Sequence, residues 1–224
     1  MIEIKNITKK YGKHIVLKNI SFKIDKGECI GIVGANGSGK TTLLSIISGI
    51  NKANSGEILA DGKVISTSSK TIAGYISYVP QENPLISELS AYDNLKLWFR
   101  GSKKELQNEL DNGILHSLGI DEFVGKTVSK LSGGMKKRLS IGIALLEKPQ
   151  LLIMDEPSAA LDLTAKFHIK EYMKYYTKRT NGSILVVSHD HNELSICDKL
   201  YLLKDGTLSL IPSSLTEEEL TKLI

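Results

Sequence analysis

Cysteine is almost missing from this 224-residue chain: Cys29 and Cys197 stand alone, far apart and without metal-ligand spacing. That excludes a disulfide-framed secreted domain and a thiolate metal site, and leaves two buried free thiols with no redox role as the expectation. Arginine is scarce too, with only Arg100, Arg138 and Arg179 among 29 basic residues, which face 25 acids for a net charge of +4. Such a balance fits weak contact with an anionic surface and gives no reason to expect nucleic-acid binding. Long apolar runs are absent: residues 141–146, interrupted by Gly142, and 184–187 fall far short of the roughly 20 residues that span a bilayer. Met1-Ile2-Glu3-Ile4-Lys5 carries an early acid and neither an apolar segment nor a cleavage site, so a cytoplasmic location is expected. With 41% hydrophobic and 24% charged residues, the composition is that of a folded globular protein with a real core.

The first thirty residues alternate apolar with polar, as in Ile2 and Ile4 or Ile20, Phe22 and Ile24, and turns are expected at Tyr11-Gly12-Lys13 and Asp25-Lys26-Gly27. An apolar strand at 29–33 precedes Leu43, Ile46, Ile47 and Ile50 at helical spacing. Residues 57–65 read as a hairpin around Asp61-Gly62, and 75–79 as a strand ended by Pro80. Between about 84 and 149 helix signals take over. Ser90 with Asp93 resembles a capping box, Leu106, Leu110, Ile114 and Leu118 repeat every four residues, and Ser132 opens a helix running toward Glu147. Strand, helix and strand return at 151–154, 163–178 and 184–187, which implies a mainly parallel sheet.

Gly34-Ala35-Asn36-Gly37-Ser38-Gly39-Lys40-Thr41 fits the pattern G-x-x-x-x-G-K-[ST], placed between an expected strand and an expected helix. Glycines there let backbone N–H groups turn toward phosphate oxygens, the helix N-terminus adds positive potential, Lys40 reaches the β and γ phosphates, and Thr41 offers a hydroxyl to Mg²⁺. A nucleoside triphosphate is the expected ligand. Leu151-Leu152-Ile153-Met154-Asp155-Glu156 is a buried strand ending in two acids, which places both at the sheet edge beside the loop. Asp155 suits the metal, and Glu156 suits a water aimed at the γ-phosphate. His189, after the strand at 184–187, suits a γ-phosphate sensor. Leu131-Ser132-Gly133-Gly134-Met135 is a second glycine-bearing helix start; spacing alone does not say how two such ends could face one phosphate.

Taken in order, these motifs resemble the nucleotide-binding subunit of ATP-binding cassette (ABC) transporters, over nearly the whole chain. The resemblance implies an α/β phosphate-loop NTPase fold with a mainly parallel core sheet, an antiparallel β subdomain and a helical signature subdomain, the core covering about 1–83 and 150–224 and the helical part about 84–149. It implies ATP and Mg²⁺ as cofactors. Gly34, Ala35, Asn36, Gly37, Ser38, Gly39, Lys40, Thr41 and Thr42 would cradle the phosphates, Gln81 would be the Q-loop residue, and Thr41, Gln81 and Asp155 would hold the metal. Glu156 and His189 would be catalytic, with the D-loop at Ser158-Ala159-Ala160-Leu161-Asp162 and Tyr11 stacking on adenine. Two copies, identical or different, would pack head to tail, so that Ser132, Gly133, Gly134 and Asp162 of one cover the nucleotide of the other.

A separate membrane subunit is the implied further partner, docked on the helical insert around Leu85, Ile86, Leu89, Trp98 and Phe99, and would hold the chain on the cytoplasmic face of the membrane. Met135 stands where many family members place glutamine. Leu-Ser-Gly-Gly-Met followed by Lys-Lys-Arg-Leu resembles the form found in exporters with a separate membrane chain, and so favours efflux of drugs, antimicrobial peptides or lipids. An importer ATPase and an ABC-type protein acting on nucleic acid or ribosomes are the alternatives. The latter would carry a long coiled-coil insertion or a second cassette, whereas only about fifty residues separate Gln81 from Leu131.

Overall fold

The computed structural model describes residues 1–66, 68–159 and 161–224. In chain order the elements are β1 (Ile2–Tyr11), β2 (His14–Ile24), β3 (Cys29–Val33), α1 (Lys40–Ile47), β4 (Ser55–Ala60), β5 (Lys63–Val64), α2 (Ser69–Ile72) and β6 (Ile76–Val79). There follow α3 (Ala91–Trp98), α4 (Lys103–Asp111), α5 (Ile114–Ser117), a 3₁₀ turn at Val128–Lys130, and α6 (Gly133–Leu145). The chain closes with β7 (Leu151–Asp155), α7 (Leu163–Thr180), β8 (Ser183–Val187), α8 (His191–Leu194), β9 (Lys199–Lys204), β10 (Thr207–Ile211) and α9 (Glu217–Leu223).

Two sheets result. One is antiparallel in the order β2-β1-β4-β5; the other runs β10-β9-β3-β8-β7-β6, parallel throughout except for β10 at its edge. The expected hairpin forms between β4 and β5, with Asp61 and Gly62 both at positive φ (46° and 80°), the backbone a tight two-residue turn demands. Burial explains why the six-stranded sheet reads as continuous apolar runs. Successive side chains point to opposite faces, and both faces are covered. On β7, Leu151 and Ile153 enter the core shared with α1 and the antiparallel sheet, while Leu152 and Met154 enter the core shared with α3, α4, α6 and α7. On β8, Leu185 and Val187 face the first core, and Ile184 and Val186 the second.

The helical stretch follows its caps. Ser90 accepts from the Asp93 N–H, Ser102 and Glu105 form a full capping box, and Ser132 accepts from the Met135 N–H. The four-residue apolar repeat from Leu106 to Leu118 predicts one helix, but the structure has two. Backbone at Asn112 and Gly113 leaves the helical region, and the Glu109 carboxylate accepts the N–H of Ile114 at 3.0 Å. All four repeat positions remain buried or packed on the core, so the periodicity reported the face correctly and missed the break. Cys29 and Cys197 are buried free thiols, their sulfurs 3.5 Å apart. Among the described residues no helix is long and apolar enough to cross a membrane.

Candidate active site

Four parallel strands deliver their carboxyl ends to one edge of the large sheet: β3 into the loop at Gly34, β6 into Pro80 and Gln81, β7 into Asp155 and Glu156, β8 into Ser188 and His189. The loop after β3 has Gly37 and Gly39 at φ 79° and 105°, conformations that side chains with a Cβ adopt at a cost. Gly39 is the N-cap of α1 and supplies no side-chain acceptor, so the first-turn N–H groups are free for an anion. Lys40, 8% exposed, donates from Nζ to the carbonyls of Gly34 (2.6 Å) and Ala35 (3.0 Å). Burial pushes its ammonium below the usual lysine value, opposed by Glu156 and Asp155. Ser38 Oγ is buried in the same loop with no partner among the described residues. Uncapped N–H groups, a buried ammonium and an orphaned hydroxyl together form a cradle suited to the phosphates of ATP.

Asp155 is 3% exposed and accepts from the Tyr78 hydroxyl at 3.1 Å. Burial, with Asp155 next, pushes the Tyr78 phenol well above its ordinary range, so it stays a donor and fixes one carboxylate oxygen. Among the described residues no three His, Cys, Asp or Glu side chains converge as a metal cage. One carboxylate, the Thr41 hydroxyl and substrate phosphates are what Mg²⁺ ordinarily takes, so this donor set fits that ion.

Glu156 follows β7 at φ 47°, a left-handed conformation unusual outside glycine, and its N–H donates to Val187 at 2.8 Å. The turn swings its carboxylate to 3.4 Å from His189 Nε2. Burial raises the Glu156 carboxyl above its usual value, with the His189 backbone and Lys40 opposing. Burial, then Lys40, lowers the His189 imidazole, so at neutral pH it is uncharged and the contact between the two is not a full ion pair.

The structure thus gathers Lys40, Thr41, Thr42, Gln81, Asp155, Glu156 and His189 around one cleft of about 520 Å³, with Asn36, Gly37 and Gly39 along its loop. A second cleft shares Val16, Asn36 and Gly37 with it and continues past Ala35 and Ser38 to His14 and Ile15. Tyr11 lies outside both. It pairs with His14 at the end of β1, its ring half exposed, with Lys9 Nζ 4.9 Å from the ring centroid. The signature residues also lie outside the cleft. Ser132 caps α6, and α7 packs so closely on α6 that a Cβ on Gly134 would come within 2.7 Å of Ala165 Cβ. Asp162 caps α7, accepting from the Ala165 N–H at 2.8 Å. Within the D-loop stretch, Ala160 lies outside the described residues.

Three residues at this edge escape a reading of motifs. Val16 lines the cleft from β2, where its alternation marks it only as half-buried. Tyr78 belongs to a strand whose apolar pattern hides its hydroxyl's purpose, since its partner is 77 positions away. Lys137, inside a run of basic residues, is 2% exposed and donates to the carbonyls of Pro80 (3.0 Å) and Gln81 (2.9 Å). The only local hint is that Lys137 falls between buried Gly134 and Ile141 on the inner face of α6.

Strand order, loop and acid pair define a phosphate-loop ATPase cassette. The ABC transporter family profile matches residues 17–159, and the chain belongs to that family. It is 37% identical over 218 residues to the linearmycin resistance ATP-binding protein LnrL of Bacillus subtilis (strain 168), covering 94% of this chain and 68% of that protein. It is 35% identical over 215 residues to the spermidine/putrescine import ATP-binding protein PotA of Mesoplasma florum, covering 94% of this chain and 61% of that one. Among solved structures, the dimeric cassette MJ0796 in a post-hydrolysis state with ADP and phosphate superposes with a TM-score of 0.83 at 29% identity, covering 96% of this chain and all of that one.

Proposed function

We propose that the chain is the ATP-hydrolysing subunit of an ABC transporter, working as a head-to-tail pair of cassettes on a separate membrane subunit. The observation that carries this reading is the meeting of Lys40, Asp155, Glu156 and His189 in one cleft. In the mechanism we favour, the backbone N–H groups of residues 34–42 and the Lys40 ammonium bind the triphosphate. Thr41, Asp155 and Gln81 would hold Mg²⁺, which when bound neutralises phosphate charge. Glu156, its basicity raised by burial, accepts the proton of a water in line with the γ-phosphate. The uncharged His189, 3.4 Å from it, steadies that carboxylate and senses the γ-phosphate. Tyr11, exposed at the strand end beside His14, supplies an aromatic face for adenine.

One chain would carry two half-sites, the phosphate cleft and the Ser132–Gly134 helix end outside it, and a second copy would complete each. ATP between them would hold the pair closed, and loss of the γ-phosphate would release it, so that binding becomes motion. Support comes from the dimeric state of the similar cassette MJ0796. The molar mass of Glu156→Gln in solution is expected to double with ATP and to stay single with ADP or no nucleotide. A single mass under all three conditions, with ATP bound, would overturn self-pairing and require a different cassette as partner.

For the cargo we favour efflux, supported by Met135 in the signature and by similarity to a resistance protein. Similarity to an import ATPase supports the opposite direction almost as strongly. The helical part, which we take as about 84–149, would dock the membrane subunit through Ile86, Leu97 and Trp98, which are 41%, 56% and 51% exposed. Ile86→Lys is expected to stop co-purification of a membrane protein that the unaltered chain captures, while ATP binding persists. Transport by the captured pair in vesicles then reads direction: ATP-driven movement away from the cassette side supports efflux, and movement toward it reverses the assignment.

A further inference from the structure

Residues 80–82 join β6 of the core to the helical stretch, and among the described residues no backbone–backbone hydrogen bond holds them. Their anchor is the Lys137 ammonium, which donates to both Pro80 and Gln81 carbonyls from the second turn of α6. Lysine is among the residues least often buried, and here it is 2% exposed with its ammonium on two neutral carbonyls. Burial pushes it down to about 8, while Asp155 and Glu193 act to raise it. A leucine or methionine would fill the same space without that desolvation cost, so packing alone does not explain an ammonium at this position.

We propose that Lys137 is a positioning residue: it pins the backbone of Gln81 to the helix that begins with Ser132–Gly134, so the cleft and the signature half-site share one rigid connection. The inference rests on the function proposed above for its kinetic part only. Gln81 lines the cleft while its carbonyl is tied to α6. A change in the placement of Gln81 is thereby transmitted to the face that would meet the second copy, and the reverse also holds.

Three variants test it: Lys137→Met, near in length and without a donor; Lys137→Gln, which keeps a donor and loses the charge; and Gln81→Ala. In Lys137→Met, the NMR order parameters of the Gln81 and Glu82 amides are expected to fall while those of the β6 strand amides do not. Its kcat should fall roughly tenfold with KM for ATP nearly unchanged, the scale of a misplaced contact. Lys137→Gln should recover most of that loss. In the Gln81→Ala background, Lys137→Met should lower kcat no further, because its effect runs through Gln81. Unchanged order parameters at 81–82, or a kcat loss that adds in full to that of Gln81→Ala, would overturn the proposal. If the unaltered chain hydrolyses no ATP, the proposed function fails and the order-parameter comparison still decides the tether. Should Lys137→Met not fold, Lys137→Gln decides, since a positioning role requires that its smaller loss vanish in the Gln81→Ala background.

Discussion

Glu156→Gln is expected to bind ATP with undiminished affinity and to hydrolyse it at least about a hundredfold more slowly, a loss of about 2.7 kcal/mol of transition-state stabilisation. The substitution keeps the shape of the side chain and its place at φ 47°, so the turn that delivers it from β7 is not disturbed. What disappears is a base. An amide cannot take the proton of an attacking water, and burial had made this carboxylate a better acceptor than an exposed one. Binding should move the other way, if at all. Asp155 and Glu156 both face the region meant for a highly anionic triphosphate, and removing one negative charge lowers the repulsion. Single-turnover rates and calorimetric affinities on the same preparation separate the two effects. Near-normal turnover would remove Glu156 from the mechanism and leave the water to be oriented by another group of the cleft.

The line from sequence to site was shortest where chemistry and local structure coincide. The strand at 29–33, the loop through Thr41 and the helix behind it are contiguous, so period, glycine placement and motif all point to one geometry, and the structure has it. Asp155 and Glu156 could be placed at the sheet edge because a fully apolar strand has only one way to end at water. Contacts between distant segments were not legible in this way. Tyr78 holds Asp155 across adjacent strands and Lys137 holds Gln81 across 56 positions, and neither local pattern names the distant partner. The left-handed turn at Glu156 was equally hidden, because a glutamate gives no sign of a positive φ, whereas Gly37 and Gly39 do. The four-residue apolar repeat takes no account of Gly113, where the second helix begins. The apolar face of α4 and α5 is continuous because both halves pack on the same core, not because they are one helix.

Lys40→Ala is expected to weaken ATP binding roughly a hundredfold, and the estimate follows from what the ammonium does before any ligand arrives. A charge-assisted hydrogen bond contributes about 1.5–3 kcal/mol, so two phosphate contacts would suggest a larger loss. Nζ, however, already donates to Gly34 and Ala35, and part of that bonding must be exchanged when phosphate enters, which lowers the net gain. In the other direction, the ammonium is already desolvated, as its lowered proton affinity reflects, so much of the cost of stripping it of water falls on folding rather than on binding. The two corrections oppose each other and leave a net of about 2.7 kcal/mol, a hundredfold in Kd. If that charge faces the γ-phosphate, as proposed, hydrolysis should fall further still as negative charge shifts during transfer, an effect that adds to the loss of binding in kcat/KM. Isothermal titration with ATP and ADP distinguishes the contacts. A loss much greater for ATP places Nζ on the γ-phosphate, an equal loss places it on the β-phosphate, and unchanged affinity for both would sink the role of Lys40 in the cradle.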